Sequence, residues 1–168
     1  MADKVRNVLF LCTGNSARSI LAEALLNRDG AGRFRAFSAG SFPKREPHPA
    51  ALALLEEHGF ATEKSRSKSW DEFVAADAPQ MDLIITVCDS AAGETCPIWP
   101  GHPATAHWGI EDPAAVEDDG QREAFVKAMT YLQRRISLLL ALPEEEIDRL
   151  AWRDEVRRIG REERARDG

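Results

Sequence analysis

The chain has 168 residues, 43% of them hydrophobic and 30% charged, with a net charge of −6. That length supports one domain with a sizeable core and is short for two. The acidic balance speaks against nucleic acid and anionic membrane as partners. Any anion-binding site must therefore draw its positive potential locally, from backbone amides or a placed arginine.

The first apolar run, Val8 to Cys12, is too short for a signal-peptide core or a membrane span, and so is Ile136 to Leu142. The cytoplasm is the expected compartment. Three cysteines there do not make a structural disulfide framework; they are packing residues or chemistry.

Val5 to Leu11 is a short aliphatic, β-branched run and reads as a buried strand. The turn formers Thr13, Gly14, Asn15 and Ser16 follow. Ser19 to Leu26 then carries Ile20, Leu21, Ala24 and Leu25 at helical spacing and stops near Asp29-Gly30. Arg33 to Ala39 alternates like a second strand. Pro49 suits the first turn of a helix over Ala50–His58, which Gly59 closes. Trp70 to Val74 is a short helix, Asp82 to Val87 a third strand ending at Cys88, and Ala104 to Trp108 a shorter fourth. Gln121 to Leu142 is a long helix with Phe125, Met129, Leu132, Ile136, Leu139 and Leu140 on one stripe. Beyond Pro143, Ile147, Leu150, Val156 and Ile159 form the stripe of a further helix, and the tail from Gly160 is solvated.

Strands separated by helices predict an α/β fold, a three-layer αβα sandwich on a four-stranded, mostly parallel sheet, with a C-terminal helical extension. Residues 1–142 are the expected catalytic domain and 143–168 the extension.

The chemistry concentrates in Cys12-Thr13-Gly14-Asn15-Ser16-Ala17-Arg18-Ser19, between a strand and a helix. Successive N–H groups of a curled loop, added to a helix N-terminus, make an anion-binding concavity. Gly14 relaxes the backbone, and Asn15 tolerates left-handed geometry and braces the loop. Arg18 offers a planar fork to two oxygens of a tetrahedral anion. The same field lowers the pKa of Cys12, making it a nucleophilic thiolate, and Ser19 is placed to donate to it. Cys-x5-Arg alone is weak and a buried cysteine at a strand end is common. The strand before it, the Gly and Asn inside it and the helix after it favour catalysis. The loop lacks the Gly-Lys-Ser/Thr ending of a nucleotide-binding loop.

The stretch VLFLCTGNSARSILAEA resembles the N-terminal motif of the low-molecular-weight tyrosine phosphatase fold. More narrowly, it is similar to arsenate reductases built on that fold and recycled by thioredoxin, a likeness that runs through ordered motifs from about residue 5 to 142. In His107-Trp108-Gly109-Ile110-Glu111-Asp112-Pro113, an Asp-Pro pair reads locally as an N-cap and first helical position. The resemblance implies that Asp112 is the general acid.

It further implies a thiol relay through Cys88 and Cys96. Cys12 forms an adduct with arsenate, Cys88 attacks Cys12 to release arsenite, and Cys96 moves the disulfide to Cys88–Cys96 for thioredoxin. Eight residues apart on a helix, the two α-carbons would be about 12 Å apart. A disulfide needs roughly 4.4 to 6.8 Å. Residues 89–95 must therefore unwind if they are helical when reduced. The eight-residue spacing departs from the seven of the best-known thioredoxin-linked members, so glutaredoxin stays open as the reductant.

In some relatives, positions matching Glu23 and Ser38 help bind potassium. Where those carry an acidic ligand, the SRSKSW stretch around Lys68 is basic here. No metal and no cofactor are expected, with Glu23 read as an exposed helix charge or as a partner of Lys68. His48, His58, His102 and His107 lack metal-ligand spacing, and Trp99 and Trp108 are packing residues. The alternative activity is phosphomonoester hydrolysis through a Cys12 phosphocysteine. Against it, Ala114-Ala115 stand where an aromatic residue usually follows the Asp-Pro pair. A regulator that binds oxyanions without turnover is the non-enzymatic alternative.

Overall fold

The computed structural model describes residues 5–63, 65–75, 77–87, 104–116 and 119–142. Cys88, Cys96, Trp99, His102 and the extension from Pro143 lie outside these residues, as does the expected unwinding of 89–95.

Four strands form one sheet in the order β2-β1-β3-β4: β1 (Arg6–Leu11), β2 (Phe34–Ala39), β3 (Leu83–Thr86) and β4 (Ala104–His107). Every pairing is parallel, with Leu11 beside Ala39 on one side and Thr86 on the other. Among the described residues three helices accompany them: α1 (Arg18–Asp29), α2 (Pro49–Glu57) and α3 (Gln121–Leu140). Two single turns of 3-10 helix span Trp70–Phe73 and Pro113–Ala115.

The period of two in β1 sorts its side chains between two apolar clusters. Val8 and Phe10 join Leu83 and Ile85 in a core shared with Ile20, Leu21 and Leu25 of α1, Leu54 and Leu55 of α2, and Phe125, Leu132 and Ile136 of α3. Leu9 and Leu11 face the other way, onto Ala39, Phe73, Met81 and Ile84. The stripe read for α3 is buried at Phe125, Met129, Leu132, Ile136 and Leu139, while Leu140 is only half-buried at the last turn. Trp108 is fully buried and packs against Phe10, ring centroids 6.2 Å apart, as a packing residue should. Gly59, at φ +85°, takes the left-handed turn that ends α2.

This topology fixes where a ligand can sit. β1 has β2 on one side and β3 on the other, so the chain leaves it in opposite senses: a topological switch point. The crevice beyond the carboxyl end of β1 is where open parallel sheets bind ligands, and the next residue is Cys12.

Candidate active site

Cys12 is buried, 5% exposed, with its N–H bonded to Ala39 O at 3.2 Å. The loop after it curls so that Asn15 N donates back to Cys12 O at 3.3 Å. The residue that takes the left-handed backbone is Asn15, at φ +44°, and not Gly14. Asn is among the few side chains that tolerate this region. Its amide holds the curl on both sides: Nδ2 donates to Ser19 Oγ at 2.8 Å, and Oδ1 accepts from Lys68 N at 2.8 Å.

The carbonyls of the loop are taken up on its outer side. Thr13 O accepts from Phe42 N (3.0 Å), Gly14 O from Lys44 N (2.9 Å), and Ser16 O from His48 N (2.8 Å). Asn15 O accepts from Ser67 Oγ at 2.6 Å. Peptide planes whose oxygens point outward carry their N–H groups toward the concave side. The loop is thus polarised as an anion nest by its neighbours. Helix α1 adds to this, for Ala17 at its N-cap gives no side-chain cap and its first turn has no acidic residue.

Gly40 shapes the contact from outside. A Cβ there would lie 2.4 Å from Thr13 O and 2.6 Å from Cys12 O, so only glycine lets β2 deliver its chain this close. Sequence reasoning missed Gly40, Ser67 and the clamp from 42 to 48. Only Ser38-Ala39-Gly40 after a strand hinted at a close approach, and nothing in the spacing of 42 to 48 shows which carbonyls its amides meet.

Arg18 begins α1 and reaches over the mouth of the loop. Nη1 donates to Ile110 O at 2.7 Å, and Nη2 lies 3.8 Å from Asp112 Oδ2. Its Nε is buried with no hydrogen-bond partner among the described residues. The Ile110 segment is itself pinned to the sheet end by Ile110 N to Val87 O at 3.2 Å. Asp112 does what the local reading asked: its Oδ1 accepts from Ala114 N at 3.0 Å as the N-cap of the 3-10 turn, with Pro113 at the first position, while its half-exposed carboxylate faces Arg18. Cys12, Arg18 and Asp112 are brought to one end of the sheet. Ser19 is fully buried with its Oγ accepting from Asn15, which leaves its own hydroxyl hydrogen to be given elsewhere.

Behind the loop lies a buried polar chain. Lys68, 8% exposed, donates from Nζ to Arg66 O at 3.1 Å and to Ser38 Oγ at 3.4 Å, and Ser38 Oγ donates to Glu23 Oε2 at 2.9 Å. Glu23 is therefore not the free surface charge expected of it; it is half-buried and meets Lys68 through Ser38 rather than directly. Burial pushes the Glu23 carboxyl above its ordinary pKa, with Lys68 opposing, and burial pushes the Lys68 ammonium down, with Glu23 opposing. Among the described residues no three His, Cys, Asp or Glu side chains gather as a metal site.

Residues 7–150 match the profile of the low molecular weight phosphotyrosine protein phosphatase family. A Bacillus licheniformis arsenate reductase is 35% identical over 112 residues, 67% of this chain and 77% of the relative. A solved arsenate reductase in a phosphate-binding state superposes with a TM-score of 0.65 at 32% identity, covering 81% of this chain and 97% of its own. The Corynebacterium glutamicum thioredoxin-dependent arsenate reductase gives 0.57 at 27% identity, over 82% of this chain and 65% of that one. With the switch-point cysteine loop, its arginine and the Asp-Pro turn all inside the matched span, the chain belongs to the low molecular weight phosphotyrosine protein phosphatase family.

Proposed function

We propose that the chain reduces arsenate to arsenite, using Cys12 as nucleophile in the loop Thr13–Ser19, Arg18 as oxyanion clamp and Asp112 as general acid. The observation that carries the reading is the outward bonding of the four loop carbonyls beside Arg18 and Asp112, a site for a tetrahedral anion held over a thiol. Its relatives include arsenate reductases, one of them thioredoxin-dependent.

The Cys12 thiolate attacks arsenic, an S–As bond forms, and an oxygen protonated by Asp112 leaves as water. Arg18 neutralises the remaining oxygens, and Ser19 donates to the thiolate before attack. Cys88 as thiolate then attacks Cys12 Sγ. The S–S bond forms, the S–As pair returns to arsenic, and arsenic(V) leaves as arsenite. Cys96 displaces Cys12 from Cys88, and the dithiol of thioredoxin supplies two electrons and two protons to the Cys88–Cys96 disulfide. Glutaredoxin is the second candidate for that last step.

Among the described residues no helix is long and apolar enough to cross a membrane, and the relay needs a reducing compartment, so the cytoplasm is the proposed location. Residues 1–142 serve as the catalytic domain and 143–168 as an appendage to it.

The test is multiple-turnover arsenate reduction with thioredoxin or glutaredoxin, comparing wild type with Cys88→Ser and Cys96→Ser. Both variants should stop after at most one turnover; undiminished turnover in both would refute the relay. The second reading, a phosphatase, is favoured by Cys12, Arg18 and Asp112 sufficing without a second thiol. Steady p-nitrophenyl phosphate hydrolysis with no arsenate reduction would establish it instead.

A further inference from the structure

The segment that clamps the loop also lays a cationic side chain along it. Lys44 donates its N–H to Gly14 O at 2.9 Å, and its side chain runs across the same residue. A methyl group on Gly14 would meet Lys44 Cγ and Cε at 3.4 Å and Cδ at 3.6 Å. The ammonium, one C–N bond further, is therefore about 5 Å or less from that point. Among the described residues it makes no ion pair or hydrogen bond, and Lys44 is exposed. Lys44, Arg45 and Glu46 line an open cleft of about 670 Å³ that begins at Ser16 of the loop.

The electrostatics of the chain give this cation work to do. A protein of net charge −6 repels a dianion at a distance, and Glu111 and Asp112 are exposed beside the site. Inward-turned amides act only on an anion already in the loop. Arg18 faces its own counter-charge, with Asp112 3.8 Å away. Lys44 is held against the loop by its own backbone and forms no ion pair among the described residues.

We infer that Lys44 is the capture residue of this site. Its ammonium draws the tetrahedral dianion to the mouth of the loop and sets its affinity, taking no part in bond making. The inference rests on the oxyanion-substrate reading above and adds to it the group that governs substrate entry.

The experiment compares wild type with Lys44→Gln, Lys44→Arg and Glu46→Gln. It measures inorganic phosphate binding by calorimetry and steady-state arsenate reduction, each at low and at high salt. A unit charge about 7 Å from a dianion is worth about a five- to tenfold change in kcat/KM at low ionic strength, with most of it screened near 1 M salt. Lys44→Gln should lose that factor in phosphate affinity and in kcat/KM, through KM, with the loss shrinking as salt rises. Lys44→Arg should stay near wild type, and Glu46→Gln should bind phosphate more tightly. Wild-type binding in Lys44→Gln at low salt, or a loss that persists at high salt, overturns the inference. If wild type reduces no arsenate yet binds phosphate with this Lys44-dependent salt response, the activity reading falls and the capture role stands.

Discussion

Replacing Asn15 by alanine tests how the loop is held. The residue is fully buried at φ +44°, and its side chain bridges Ser19 Oγ and the Lys68 amide. Alanine in the left-handed region costs about 1 kcal/mol or more. Orphaning the buried Lys68 N–H costs roughly 1–3 kcal/mol, and removing the donor to Ser19 about 1 more. The sum, about 3–5 kcal/mol, corresponds to a fall in Tm of roughly 10 °C for a domain of this size. Asn15→Gly relieves the backbone but lacks the same two bonds, so it should recover about 1 kcal/mol of the deficit. Urea unfolding of the three proteins at constant m, with kcat/KM alongside, makes the measurement. An Asn15→Ala variant within 1 kcal/mol of wild type, or a glycine variant no better than alanine, would refute the account of the curl.

Asp112→Asn should keep the cap on Ala114 N and the stability while kcat falls about 10²- to 10⁴-fold, whereas Asp112→Ala should also lose about 1 kcal/mol; equal kcat in the asparagine variant would remove Asp112 from the chemistry. Gly40→Ala drives a methyl into Thr13 O and Cys12 O and should cost at least about 3 kcal/mol or abolish turnover, whereas Gly14→Ala, meeting only the flexible Lys44 chain, should fold within about 1 kcal/mol of wild type. For Glu23, the folded carboxyl titrates above its ordinary 4.5, so in that window the folded state binds more protons than the unfolded chain. Its contribution is then present below pH 4.5 and lost as pH rises through the folded value. Glu23→Gln should flatten this decline in urea stability from pH 4.5 upward, and identical slopes in the two proteins would show that the buried carboxyl is not its source.

Strand β1, the loop and α1 were legible because each carries its cause within a few residues: an aliphatic run, Gly and Asn, then Leu and Ile at helical spacing. Asp112 was legible as a cap, since an Asp-Pro pair caps a turn whatever else it does. What could not be read is the wall around the loop. The bond from Phe42 N to Thr13 O and that from Ser67 Oγ to Asn15 O depend on how β2 and the following segments return to the end of β1, and no local pattern records a long-range backbone contact. Of the two readings of Glu23, the exposed helix charge fails and the partnership with Lys68 holds, through Ser38, a contact that the helix pattern alone does not decide. Gly14 and Asn15 both offered backbone freedom in the sequence; the left-handed position falls to Asn15, whose side chain has two partners there.

The wall also explains how an acidic chain can hold a dianion. Four carbonyls that would otherwise oppose the ligand are each engaged by a donor from 42–48 or 67, so the loop presents mainly N–H dipoles and Arg18 to its concave side. Such preorganisation does not depend on which anion is bound, and phosphate and arsenate share shape and charge. Discrimination between hydrolysis and reduction must therefore arise after binding, in whether water or a second thiol reaches the Cys12 adduct first. A single-turnover experiment with Cys88→Ser separates the two. If the described site alone set the outcome, the variant would still release arsenite. If the second thiol sets it, arsenic stays on Cys12, and mass spectrometry of the quenched protein reads the adduct directly.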